Sequence, residues 1–378
     1  MGKTNKYTYI TNYSGITVKI AIEPKPYSDE TLSSWLIRTA FANGTDPKSF
    51  ALSIFRQNSV WYRDLDRYIP EELRDRLCKV ASLSKEKVVS LTLEPLIDNL
   101  ALYPKSNPHK KWYFVLPIGL KGFVKTGGAY FCPYCLQDDK TAYLRREWKL
   151  AWNVACPLHK KLLLLRCRKC DTIFSPHKLS YLQPYIYLCS SCGADLRDSS
   201  TKDTNDEVLL FQKTLNHMAF HNIDSPFQLA TQNRQDFFAT LHIFLAFFAK
   251  ANKYNYHPSL LRFLALPSYA IMTKNNATFN RMTVRDREYL LFACSKIFQY
   301  SIHEIIQLFK EFNISKHRFL FTYKNLSPTI ESLVQHLHDS PVLGKKKKNP
   351  KLSTTSRTVS PKAPSQVDKL FKEIEQFL

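Results

Sequence analysis

The sequence predicts a mainly α-helical protein with an N-terminal helix-turn-helix domain, two central zinc-finger or zinc-ribbon modules and a helical C-terminal domain. Three observations predict it. Apolar residues recur at three- and four-residue steps on both sides of the chain's middle. Seven of the nine cysteines fall in short-spaced pairs within about sixty residues. Only nine glycines are present among 378 residues, which argues against a nucleotide-binding fold built on glycine turns.

The boundaries follow composition: 1–125 for the N-terminal helical domain, 126–200 for the cysteine block, and 201–340 for the C-terminal helical domain. A basic linker over 341–366 and a short amphipathic helix over 367–378 follow.

In "KPYSDETLSSWLIRTAFANGTDP", Ser28 can cap a helix that buries Leu32, Trp35, Leu36, Ala40 and Phe41. Asp29 and Glu30 then sit in its first turn, where the helix dipole favours them. Gly44 closes this helix, and Pro47 stands near the first turn of the next. In "IPEELRDRLCKVASLSKEKVVSLTL", two apolar runs are joined by a tight turn, with Ser84 as the second N-cap. Either this is a helix-turn-helix reader of DNA, exposing Lys85 and Lys87 near the start of its second helix, or it is an ordinary helical hairpin.

The cysteine block contains Cys132-x2-Cys135, Cys156-x2-His159, Cys167-x2-Cys170 and Cys189-x2-Cys192. Structural Zn²⁺ takes four N/S ligands in a tetrahedron, and two such pairs on turns deliver them when the chain folds back. The gaps of 20 and 18 residues within the first two and last two pairs match a zinc ribbon. Sequential grouping gives one ion Cys132, Cys135, Cys156 and His159, and the other Cys167, Cys170, Cys189 and Cys192; an interleaved grouping is the alternative. Both sets would be closed, and no His-x-Glu precedes either, so the reading is two structural Zn²⁺ ions with no catalytic role. His177 is expected as a surface side chain, and Cys78 and Cys294 as small apolar residues inside helices.

After the block, "DEVLLFQKTLNHMAF", "RQDFFATLHIFLAFFAKA" and "TVRDREYLLFACSKIFQYSIHEIIQLFKEFNI" carry helical spacing, with a second helix-turn-helix conceivable around Tyr300-Ser301. The longest apolar stretch, 237–251, contains His242 and is too short to span a bilayer, so it is read as a buried helix. The segment "PVLGKKKKNPKLSTTSRTVSPKAPSQ" holds seven basic and no acidic residues and reads as a solvated linker, with Lys345, Lys346, Lys347 and Lys348 suited to phosphates. In "VDKLFKEIEQFL", Leu370, Phe371, Ile374 and Phe377 share one helical face. Twelve residues cannot hold a helix alone, so this peptide docks, either on its own body or on a partner.

The formal charge of +22 favours a polyanionic partner such as DNA, because neutralised phosphates release counterions. The Lys- and Asn-rich composition of an AT-rich genome produces a similar excess without one. No apolar signal core opens the sequence, so a cytoplasmic, membrane-free protein is expected. "GKT" at 2–4 lacks the preceding glycine of a P-loop and no Gly-x-Ser-x-Gly occurs, so no enzyme is read here.

Together, "PKPYSDETLSSWLIRTAFANG", "RDLDRYIPEELRDRLCKVASLSKEKVVSLTL", "YFCPYCLQDD", "YLRREWKLAWNVACPLHKKLLLLRCRKC" and "CSSCGADL" resemble the TniQ/TnsD proteins of bacterial transposons over roughly residues 22–198. The Arg-x-x-Trp that precedes Cys-x-x-His stands here as Arg145 and Trp148. The resemblance implies target-site selection for transposition, with the AAA+ ATPase regulator TnsC as partner. In one branch of the family the protein is a homodimer riding on a CRISPR effector such as Cascade, whose guide RNA chooses the site. In the other it binds a fixed attachment site directly. The chain's length is closer to the first branch.

Overall fold

The computed structural model describes residues 19–57, 60–96, 113–117, 128–221, 223–273, 277–321, 323 and 326–339. The first helix, α1 (Leu32–Ala42), turns Leu32, Trp35, Leu36 and Ala40 into an N-terminal core, the spacing its sequence carries. Gly44 follows its C-cap at φ +64°, a left-handed conformation that costs glycine nothing. Helix α2 (Pro47–Phe55) begins with Pro47 at its first position after Asp46 and adds Phe50, Ile54 and Phe55 to the same core. Helices α3 (Glu71–Val80) and α4 (Lys85–Ser90) complete it with Leu73, Leu77 and Val88.

The start of α1 differs from expectation. Its N-cap is Thr31, whose hydroxyl accepts from the Ser34 amide, and not Ser28; Asp29 and Glu30 lie ahead of the helix rather than in its first turn. The reason is tertiary. An antiparallel bridge joins Glu30 to Arg145, and the Thr31 amide donates to the Leu144 carbonyl, so residues 29–31 are drawn out straight against 144–146. Glu30 is fully buried and accepts from Arg38, Ser34 and the Tyr27 amide.

Among the described residues the central block has isolated antiparallel bridges but no strand, and one helix, α5 (Pro133–Asp138). The C-terminal part follows with α6 (Asp206–His221), α7 (Arg234–Lys253), α8 (Pro258–Phe263), α9 (Val284–Ile297), α10 (Ile302–Glu311), α11 (Lys316–Leu320) and α12 (Pro328–Val334). The apolar 237–251 stretch lies within α7, which buries Phe237, Phe238, Phe244, Phe247 and Phe248; no described helix is long and apolar enough to cross a membrane. Around Tyr300-Ser301, α9 and α10 are separated by a break closed by a capping box between Ser301 and Glu304. Cys294 is buried in α9, and Cys78 is partly buried in α3.

The cysteine block is not walled off from these helices. One contiguous core runs from Cys132, Cys135, Cys156, Cys167 and Cys189 through Trp148 and Trp152 into α6, α7 and α9. Polar side chains reinforce the join. Gln212 of α6, fully buried, accepts from the Val154 and Ala155 amides and donates to the Ala155 carbonyl. One turn on, Asn216 accepts from the Trp152 indole and pairs with Asn153. The backbone leading into Cys156 is therefore held by a helix more than fifty residues downstream.

Candidate metal centres

Three of the four pairs share one backbone turn. The first cysteine's amide donates five residues ahead, as in Cys156 to Lys161, Cys167 to Thr172 and Cys189 to Ala194. The amide four residues ahead donates back to the cysteine carbonyl: Lys160 to Cys156, Asp171 to Cys167 and Gly193 to Cys189. Closing such a loop puts that fourth residue in the left-handed region, with φ of 54° at Lys160, 54° at Asp171 and 69° at Gly193. Only Gly193 adopts it freely; the other two bear a conformational cost of about 1 kcal/mol each. The Cys132–Cys135 pair is built differently. Cys132 is the N-cap of α5 and Pro133 its first residue, so Cys135 comes round on the first turn.

These turns bring together Cys132, Cys135, Cys156 and His159 in one set and Cys167, Cys170, Cys189 and Cys192 in another. Within each set all ligand atoms lie within 4.8 Å of one another. The grouping is sequential, not interleaved.

A tetrahedral ion with bonds of about 2.3 Å to sulfur sets sulfur–sulfur edges of about 3.8 Å and sulfur–nitrogen edges of about 3.5 Å. In the first set Cys135 Sγ stands 3.4 Å from Cys156 Sγ, and His159 Nδ1 stands 3.6, 3.4 and 3.4 Å from Cys132, Cys135 and Cys156. In the second the Cys167–Cys192 and Cys170–Cys189 separations are 3.8 and 3.7 Å. Disulfide sulfurs lie about 2.05 Å apart, so these are not bonded pairs. Both sets fit a tetrahedral ion.

Charge gives the same answer. Without a cation, hydrogen bonds from Cys132 and Cys135 hold the Cys156 thiol at about 2, while its hydrogen bonds to Cys132 and Cys156 push Cys135 far above the ordinary thiol value. The set by itself accommodates one thiolate and forces its neighbour to keep a proton; a divalent ion lets them ionise together.

The groups around the first set carry no signal in the sequence. His159 turns Nδ1 to the sulfurs and Nε2 to Asp138 Oδ2 at 2.8 Å, an arrangement that fixes the ring's tautomer. The next residue, Asp139, accepts two hydrogen bonds from Arg145, at 3.0 and 2.7 Å. Arg145 also lies 3.4 Å from Asp29 and faces the rings of Tyr143 and Trp148. Asp29 in turn accepts from the Tyr143 hydroxyl. Arg145 and Trp148, singled out in the sequence, thus join the N-terminal helices to the α5 end of the first set.

His177, expected at the surface, is partly buried and stacked on Trp61 at 5.4 Å; it belongs to neither set. Lys85 is exposed on α4 and tied to Asp75 of α3 at 2.7 Å, with Lys87 two residues on and less exposed. The α3–α4 pair has two helices around a tight turn, but α4 is only six residues long. Lys345, Lys346, Lys347 and Lys348 and the docking face of Leu370, Phe371, Ile374 and Phe377 lie outside the described residues.

A fold of helices joined through a block with two tetrahedral Cys/His sets defines a metal-stapled helical protein. Residues 21–163 match the TniQ family, a span from just ahead of α1 through the whole first set, and through this domain the chain belongs to that family. No curated protein matches the chain.

Proposed function

We propose that this protein selects target sites for DNA transposition, acting as a zinc-stapled adaptor between the target and the AAA+ ATPase regulator TnsC. The observation that carries this is the TniQ domain over 21–163, which takes in both the N-terminal helices and the first Cys/His set. The metal assigned to both sets is Zn²⁺, since thiolate and imidazole donors at tetrahedral spacing suit it. The ions act structurally: each set supplies four protein donors, and the role is to hold the central turns against the helices. The protein performs no catalysis. The charge of +22 supports direct engagement of DNA phosphates.

In this reading an RNA-guided complex such as Cascade delivers the protein, as a homodimer in the bacterial cytoplasm, and TnsC docks on it. Affinity purification of the tagged chain from its host after nuclease treatment tests this. An AAA+ ATPase together with a protected guide RNA is the expected result. A sharp footprint of the isolated protein on one defined duplex replaces it with the second reading, direct recognition of a fixed attachment site. The α3–α4 pair, with Ser84 capping α4 and Lys85 exposed at its start, is the observation that favours that reading.

A further inference from the structure

A groove of about 640 Å³ opens between the second Cys/His set and the start of α9. Five cations line it: Arg166, Arg168, Lys202, Arg281 and Arg285, all exposed. Asp171 is the one acidic residue in its lining, and it pairs with Arg166 at 3.2 Å. Arg285 is held by Glu288 at 2.7 Å. Among the described residues, Arg168, Lys202 and Arg281 have no side-chain partner, so three charges from three separate segments point to no counter-ion of the protein's own.

A buried residue adds to them. Arg287 of α9 is fully buried and stacks on the ring of Tyr130, which lines the groove, with its guanidinium carbon 5.0 Å from the ring centroid. It donates through Nη1 to the Ala151 carbonyl, while Nε and Nη2 have no hydrogen-bond partner. No described carboxylate lies within ion-pair distance of it. A guanidinium keeps its proton even there, and an uncompensated buried charge is costly. An anion seated over Tyr130 lowers that cost through the thickness of one ring.

The second set positions one wall. Arg166 and Arg168 flank Cys167, and the Arg166–Ile173 bridge closes the same turn. The metal that holds Cys167 therefore holds two of the five cations.

We infer that this groove seats the sugar–phosphate backbone of duplex DNA, with Arg168, Lys202 and Arg281 binding its phosphates, an inference that rests on the DNA-engaging role proposed above. Arginine forks match phosphate oxygens, and the apolar floor of Leu163, Tyr130 and Met282 suits the sugar edge.

The test uses the full-length, zinc-loaded chain and a labelled duplex of about 30 base pairs, followed by anisotropy between ~50 and ~200 mM salt. One triple variant carries Arg168→Glu, Lys202→Glu and Arg281→Glu. A second, with the same change in net charge, carries Lys79→Glu, Lys213→Glu and Lys310→Glu, exposed positions outside the groove. The groove variant is expected to bind at least about tenfold more weakly, with a salt slope flatter by about 2.7, near 0.9 for each phosphate no longer neutralised. The control is expected to weaken by less than about threefold. Zinc content of two per chain in both variants shows that the fold is intact, and the three Gln substitutions at the groove positions repeat the test should charge reversal prevent folding. Equal weakening in the two variants, or none in the groove variant, overturns the groove while leaving DNA engagement standing. A wild-type chain that binds no duplex at all overturns both.

Discussion

His159 and Asp138 meet at 2.8 Å, Nε2 to carboxylate, while the other ring nitrogen faces three cysteine sulfurs. The carboxylate accepts the Nε2 proton, so Nδ1 is left unprotonated for the metal and the imidazole is made more basic. Asp138 is itself well exposed, so it acts through orientation rather than through burial of charge.

Asp138→Asn should therefore weaken the first metal site by roughly 10- to 100-fold and leave the second unchanged. Chelator competition on the purified chain, with zinc counted per site, reads this directly. Equal affinity in variant and wild type would show that the carboxylate is a bystander.

The two sites should empty in order. The first is embedded among core side chains, with Cys132, Cys135 and Cys156 all buried, whereas Cys170 is partly and Cys192 fully exposed in the second. Zinc release to a chromogenic chelator is expected in two phases of equal amplitude. Cys189→Ser should abolish the fast phase and Cys132→Ser the slow one. Because the first set shares its core with α6 and α7, Cys132→Ser should cost on the order of 5 kcal/mol or more, read by denaturant melts.

Arg145 makes a third case. Its two hydrogen bonds to Asp139 and its approach to Asp29 occur with side-chain exposures of 9% and 14% for the close pair, so removing the guanidinium strands a half-desolvated carboxylate. Arg145→Ala should destabilise by roughly 3–5 kcal/mol. Arg145→Lys should recover only part of this, since an ammonium cannot form the fork. Adding Asp139→Asn to Arg145→Ala should restore stability partway, a double-mutant cycle that separates the ion pair from packing against Tyr143 and Trp148.

Local features of this architecture are legible in the sequence and distant ones are not. The metal sets follow from pairs two residues apart, because a single turn decides their geometry; Gly193, four residues after Cys189, even marks the left-handed position that Lys160 and Asp171 share. The phenylalanines of α7 announce burial by their spacing. Asp29 and Glu30 mislead, because carboxylates ahead of an apolar helix look like dipole partners until Tyr143 and Arg145 arrive from 114 residues away. Gln212 and Asn216 are invisible for a related reason: a polar residue in an amphipathic helix is assigned to solvent, and only the tertiary fold supplies the buried amides of 153–155.

The last prediction concerns acid. His242 of α7 is buried between Phe114, Tyr113 and Tyr323, with Nε2 paired to the Tyr323 hydroxyl at 3.0 Å and Nδ1 unpartnered. Burial lowers its pKa to about 4, against about 6.5 for a free histidine. Between these values the unfolded chain binds a proton that the folded chain refuses, so stability falls as pH drops from about 6.5 towards 4, by up to about 3 kcal/mol once both forms are protonated. Above about 6.5 neither state carries the proton and this contribution to pH dependence vanishes. Release of zinc in acid adds its own slope, so the measurement is a difference between two proteins. Wild type and His242→Phe are compared by denaturant melts from pH 7.5 to pH 5, with zinc content followed alongside. The variant's curve is expected to be flatter by just over 1 kcal/mol for each pH unit between about 6 and 5. Parallel curves would mean that the imidazole takes up its proton inside the fold, which the apolar walls around it oppose.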